Sequence, residues 1–97
     1  MAGLVKGIQM AFTGMDIAAV RQMATQMDQA AGEIEQLVSR LTGTLNGTQW
    51  EGPDATAFRG EWEGQHTASL RQVAERLRLV CTQARANADE QEAASGS

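Results

Sequence analysis

The chain has 97 residues, with 12 acidic side chains against 8 basic ones for a net charge of −4, and only four aromatic residues, none of them Tyr. That length holds one domain at most. The scattered basic residues make no phosphate-binding patch, so nucleic acid is not an expected partner, and no apolar run is long enough to span a bilayer. The single cysteine, Cys81, cannot close an internal disulfide.

The abundance of Ala, Gln, Glu, Arg and Met favours helix over strand. Residues 1–15, with Gly3 and Gly7 and no sustained period, read as a flexible arm. The arm lacks a basic opening and a continuous apolar core, so any export is expected to bypass the general secretory signal. Asp16 is a good N-cap for a first helix over 16–46. In that helix Val20, Met27, Ile34 and Leu41 recur every seven residues. Met23, Ala30 and Leu37 fall three further on, and Ala24, Ala31, Val38 and Leu45 four further on. An apolar stripe three positions wide in seven is wider than a strict coiled-coil seam. Gly43, Asn46 and Gly47 are expected to close the helix through the left-handed conformation.

Trp50-Glu51-Gly52-Pro53 breaks the chain near its midpoint, in a loop over 47–52. Gly52 as N-cap, Pro53 at the first helical position and Asp54 in the first turn make a strong restart. The second helix is expected over 53–91, with a frayed tail at 92–97. Its inner stripe reads Ala55, Phe58, Trp62, His66, Ser69, Val73, Leu77, Val80, Ala84 and Ala88, widened by Leu70 and Cys81. Gly60 and Gly64 flank Trp62 as if to make room for a close neighbour. The fold expected is all-α: an antiparallel two-helix hairpin turning at Trp50. One pair of helices cannot enclose a core, so a partner is expected on physical grounds.

Trp50 reads first as a cover over the helix ends, and more sharply as a partly exposed indole that another protein recognises. His66 and Cys81 lie on apolar stripes, where one satisfied hydrogen bond and a small buried hydrophobe are the ordinary roles. One His and one Cys supply no zinc ligand set, and neither cofactor nor metal is expected. Ser39, Ser69 and His66 form no nucleophile motif and the carboxylates decorate polar faces, so the chain reads as a non-enzyme.

With Trp50-Glu51-Gly52 centred between two helical periods, followed by Ala55, Ala57, Phe58 and Trp62, the whole chain resembles the WXG100 (ESAT-6-like) family. The resemblance implies a hairpin that dimerises, with itself or with another WXG100 protein, into an elongated four-helix bundle. It also implies export as a folded pair through the ESX/type VII secretion apparatus and its ATPase, from the cytoplasm to the exterior or cell surface, without a cleaved signal peptide. Trp50 and Gly52 would form the W-x-G turn. Relatives set that turn beside a Tyr-x-x-x-Asp/Glu motif at the end of the partner's second helix. Here Arg85 stands where the Tyr would be, and Asp89 keeps the acidic half. Either a heterodimeric partner carries the full signal, or Arg85 and Asp89 form a variant signal in a homodimer.

A second reading is an intracellular adaptor that binds a partner amphipathic helix through the same stripes. A membrane-active role is weaker, because an acidic chain is repelled by anionic lipid and membrane contact is not expected. The residues expected to seal the hairpin or the dimer are Val20, Met23, Met27, Ile34, Leu37, Leu41, Phe58, Trp62, Leu70, Val73, Leu77 and Val80. An interface of standard size would bury about 800 Å² per protomer. Ile34→Asp is expected to abolish the dimer in light scattering; a folded and equally dimeric variant would mean that the stripe only seals the hairpin.

Overall fold

A computed structural model describes residues 15–96. The expected arm therefore lies, apart from Met15, outside the described residues. Two antiparallel helical arms run side by side over 70 × 22 × 14 Å. The radius of gyration is 20.9 Å, against about 13 Å for a globular domain of this length. The molecule is a rod, an antiparallel two-helix hairpin.

Helix α1 spans Ile17–Gly47. Asp16 caps it, its carboxylate accepting from the Ala19 N–H at 3.0 Å. The second arm comprises α2 (Pro53–Glu61), a π-helical turn (Trp62–His66) and α3 (Thr67–Gly96). Pro53 opens α2 where its missing N–H costs nothing.

The hairpin seam is made mostly of small side chains, with Trp62 as the exception near the turn. Ala24 and Ala31 on α1, and Ala74 and Ala88 on α3, are 0% exposed, with Val38, Ala55, Trp62, Cys81 and Ala84 also buried. Val20 and Met27 pack against the Ala24, Cys81 and Ala84 cluster. Helix separation follows the side chains at the contact, so an alanine seam brings the two axes close. Cys81 is a free buried thiol. Gln91 is buried too; its Nε2 donates to Ser95 Oγ at 3.0 Å.

The π turn decides which residues of the second arm face inward. The Thr67 N–H reaches back five residues to the Trp62 carbonyl, so this turn holds one residue more than an α turn. An unbroken α-helix would carry the inner stripe from Trp62 to Ser69, Val73 and Val80. Instead the phase slips by one, burying Ala74 and Cys81 and leaving Val73 49% exposed. Ser69, expected on the stripe, is also exposed. Gly60 and Gly64 do not accommodate a neighbour within the hairpin, since a Cβ at either would meet nothing within 4 Å.

The rod has two unlike edges. The position four after most seam residues is polar or charged, among them Asp28, Glu35, Arg78, Arg85 and Glu92. These positions pair across the arms. Arg78 donates through both terminal nitrogens to the Glu35 carboxylate and lies 3.7 Å from Asp28. Arg21 meets Asp89 at 2.7 Å and Glu92 at 3.0 Å. Arg85 donates to Thr25 Oγ1 at 3.3 Å. The position just before most seam residues is apolar: Met23, Ala30, Leu37, Val73 and Val80. Of these Met23, Leu37 and Val73 are exposed and Ala30 and Val80 half-buried, as are the neighbouring Val20, Ile34, Leu41, Leu70 and Leu77.

Two boundaries differ from expectation, while Gly52 caps α2 as expected. Gly43, Asn46 and Gly47 do not close α1 in the left-handed conformation; they are helical, and the chain leaves through Thr48 at φ −100° and ψ 130°. The carbonyls that a left-handed cap would satisfy are met by side chains instead: the Thr48 hydroxyl donates to Thr44 O at 2.6 Å, and Arg59 donates to Leu45 O at 2.9 Å. Of the tail expected to fray over 92–97, the described residues to Gly96 continue α3, and Glu92 pairs with Arg21. Gly52 alone among the described residues has positive φ, at 120° with ψ 175°. That region of backbone space is open to little but glycine.

Two outcomes follow from this geometry. Gly52→Ala meets no steric obstacle but strains the backbone, and should cost about 1–3 kcal/mol in a denaturant melt; an unchanged midpoint would contradict that assignment. Hydrogen bonds from Arg78 and Arg21 hold the Glu35 and Glu92 carboxyls below the usual carboxylate range. A lowered folded pKa stabilises above the ordinary value and is lost as pH falls through the lowered one. Replacing both arginines by Gln should thus lower the thermal midpoint at pH 7 slightly, these pairs being exposed. The gap from wild type should close below about pH 4; a gap independent of pH would refute the linkage.

Candidate functional site

The turn joining the arms gathers most of the aromatic residues and one cation. Trp50 stands at its crest, 40% exposed. An indole that only covered helix ends would be buried. Twelve residues on, Trp62 is the buried indole, 6% exposed, its Nε1 donating to Thr42 Oγ1 at 2.9 Å. That bond ties α1 to the start of the π turn and satisfies the one polar atom of the ring.

Between the two indoles lies Phe58, its ring centroid 6.5 Å from Trp50 and 6.3 Å from Trp62, nearly parallel to the latter. His66 continues the string at 6.3 Å from Phe58 and 6.5 Å from Trp62. Its Nε2 is 3.5 Å from a Glu61 carboxylate oxygen. Phe58, Trp62 and His66 follow at four-residue intervals along one helical face. Trp50 joins that face from the loop.

Arg59 fixes the loop. Its guanidinium donates to Trp50 O at 2.6 Å, to Thr48 O at 2.9 Å and to Leu45 O at 2.9 Å. The same group lies 5.6 Å from the centroid of the Trp50 ring, within cation–π range. The last turn of α1 contains no basic residue, so a cation from the other arm complements its negative end. Sequence reading passed over Arg59 and Thr42. The bare C-terminus of α1 was the available signal, since its open carbonyls require a donor from somewhere.

Arg85 and Asp89, the residues expected at the second half of a composite signal, are both exposed. They lie toward the opposite end of the rod. Asp89 follows Trp62 by 27 residues of helix, about 40 Å at 1.5 Å per residue. The turn and the Arg85–Asp89 segment of one chain are therefore not brought together. Arg21 engages Asp89 at 2.7 Å and Glu92 through both terminal nitrogens. Those hydrogen bonds, to Glu92 first and then Asp89, raise the Arg21 pKa above its ordinary value.

Among the described residues, no group of three His, Cys, Asp or Glu could hold a metal ion. No helix among them is long and apolar enough to cross a membrane. A shallow open depression of about 550 Å³ is lined by Gly32, Glu35, Gln36, Ser39 and Arg40, its one carboxylate, Glu35, being engaged by Arg78.

A family model described as proteins of 100 residues with WXG matches residues 13–94, both arms and the turn included. No curated protein and no solved structure matches the chain. With its helical hairpin, its Trp50-Glu51-Gly52 turn and a family match over most of its length, the chain belongs to WXG100, a family of small, helical, non-enzymatic secreted proteins.

Proposed function

We propose that this chain is a substrate or secretion partner of the ESX/type VII apparatus, exported as a folded dimer and recognised at Trp50. Family membership supports the general class. The observation that carries the finer reading is the exposure of Trp50 on a loop braced by Arg59. An aromatic side chain held outward by the backbone beneath it suits recognition better than packing.

The apolar edge is the dimer surface in this reading. Met23, Leu37 and Val73 are exposed in the single hairpin, and the half-buried Val20, Met27, Ile34, Leu41, Leu70, Leu77 and Val80, together with Phe58 and the buried Trp62, complete the face. The opposite edge is occupied by ion pairs within the hairpin. A second WXG100 hairpin, either a copy of this chain or a related protein, covers the apolar edge and completes a four-helix bundle. Because Trp50 and Asp89 lie at opposite ends, a two-part signal forms only between protomers packed head to tail. In a homodimer Arg85 and Asp89 supply its variant second half; in a heterodimer the partner supplies it. The adaptor reading uses the same edge and predicts no dependence of localisation on Trp50.

Leu37→Asp combined with Val73→Asp should keep the circular-dichroism helix signal and abolish the dimer in light scattering, whether alone or mixed with the partner. A dimer that survives both charges would exclude this edge. Trp50→Ala should fold and pair but accumulate in the cytosol of cells with an intact type VII system. Normal export of that variant would remove recognition at Trp50.

A further inference from the structure

Arg59 has more contacts than closing a helix requires. A lone cation at the end of α1 would need only the Leu45 carbonyl. Arg59 also donates to the carbonyls of Thr48 and Trp50, which belong to the loop, and lies beside the indole itself. The guanidinium thus links the end of α1, the loop and the Trp50 side chain to one point on α2. The other ring contact of Trp50, tilted by 48° against Phe58 at 6.5 Å, constrains one side of an indole that stays 40% exposed. The hairpin has separate supports: the alanine seam, the Trp62 to Thr42 hydrogen bond and the cross-arm ion pairs.

We propose that Arg59 is a positioning residue for Trp50, holding the indole in the outward orientation in which it is recognised while the arms pair without its help. This rests on the reading of Trp50 as the recognised group. Three carbonyls and an aromatic face around one cation call for a planar fork of donors. Lysine brings the same charge as a single point on a flexible stem, so it does not reproduce the arrangement. Charge alone is therefore not what Arg59 supplies.

The test uses the full chain as wild type, Arg59→Gln, Arg59→Lys and Trp50→Ala. With ¹⁵N labelling, the two indole N–H resonances are distinguished by their loss or retention in Trp50→Ala. Circular dichroism follows the helices, and export is measured in cells carrying an intact type VII system. Both Arg59 variants should keep wild-type helix content and an unmoved Trp62 resonance. Their Trp50 resonance should shift or broaden, and export should fall at least tenfold, toward the level of Trp50→Ala.

An unmoved Trp50 resonance overturns the proposal. So does wild-type export of Arg59→Gln when Trp50→Ala is retained, a result that leaves recognition at Trp50 standing. Loss of helix in both Arg59 variants also overturns it, because Arg59 would then hold the hairpin and not the indole. If Trp50→Ala is itself exported normally, recognition at Trp50 fails, and the indole resonances decide the positioning of the ring by Arg59.

Discussion

Close packing through Ala24, Ala31, Ala74 and Ala88 leaves little space along the middle of the arms, so apart from Trp62 near the turn most large side chains collect on the flank. This constraint governs the rest of the molecule. Val38 is the largest side chain that is almost fully enclosed. At about 25 cal/mol per Å² of apolar area, a seam of methyl groups stabilises far less than one of leucines would. The hairpin thus gives up burial to gain proximity, and keeps Met23, Leu37 and Val73 at its surface. Met23, Leu37 and Val73 left on one edge, with ion pairs filling the other, give the rod a direction in which a second hairpin can be added.

The turn follows a different logic. Its order comes from polar contacts and backbone geometry more than from burial. Gly52 adopts a conformation that other residues avoid, Thr48 and Arg59 close the carbonyl end of α1, and Trp62 is fastened to Thr42. These contacts converge on five loop residues and the helix ends beside them. A rigid crest results, on which Trp50 stands out from a surface that otherwise follows the rod.

The hairpin was legible because its signals are local and repeated. The seven-residue recurrence from Val20 to Leu41, the Asp16 cap and the Gly52-Pro53 restart each follow from one stretch of chain. What escaped reading depends on pairing across the arms. The periodicity admitted three parallel stripes on α1, and nothing in the spacing ranks Ala24 and Ala31 above Val20 and Met27 as the contact line. The slip from Val73 to Ala74 needs the π turn, one extra residue at Trp62–His66 that an α-helical count cannot register. Arg59 escaped for a related reason: its acceptors lie 9, 11 and 14 residues away in the chain. No periodic pattern links such positions.

The antiparallel rod also has a mechanical property. A load applied at the last residues of α3 while α1 is held reaches the cross-arm contacts in sequence, beginning where Arg21 meets Asp89 and Glu92 and moving toward the turn. This is a peeling geometry, in which the contacts are not strained together. Resistance at each moment comes from the local pair and the next alanine, and both are weak. Peeling from the open end thus reaches the crest at Trp50 last, after the ion pairs and alanine contacts have parted one at a time.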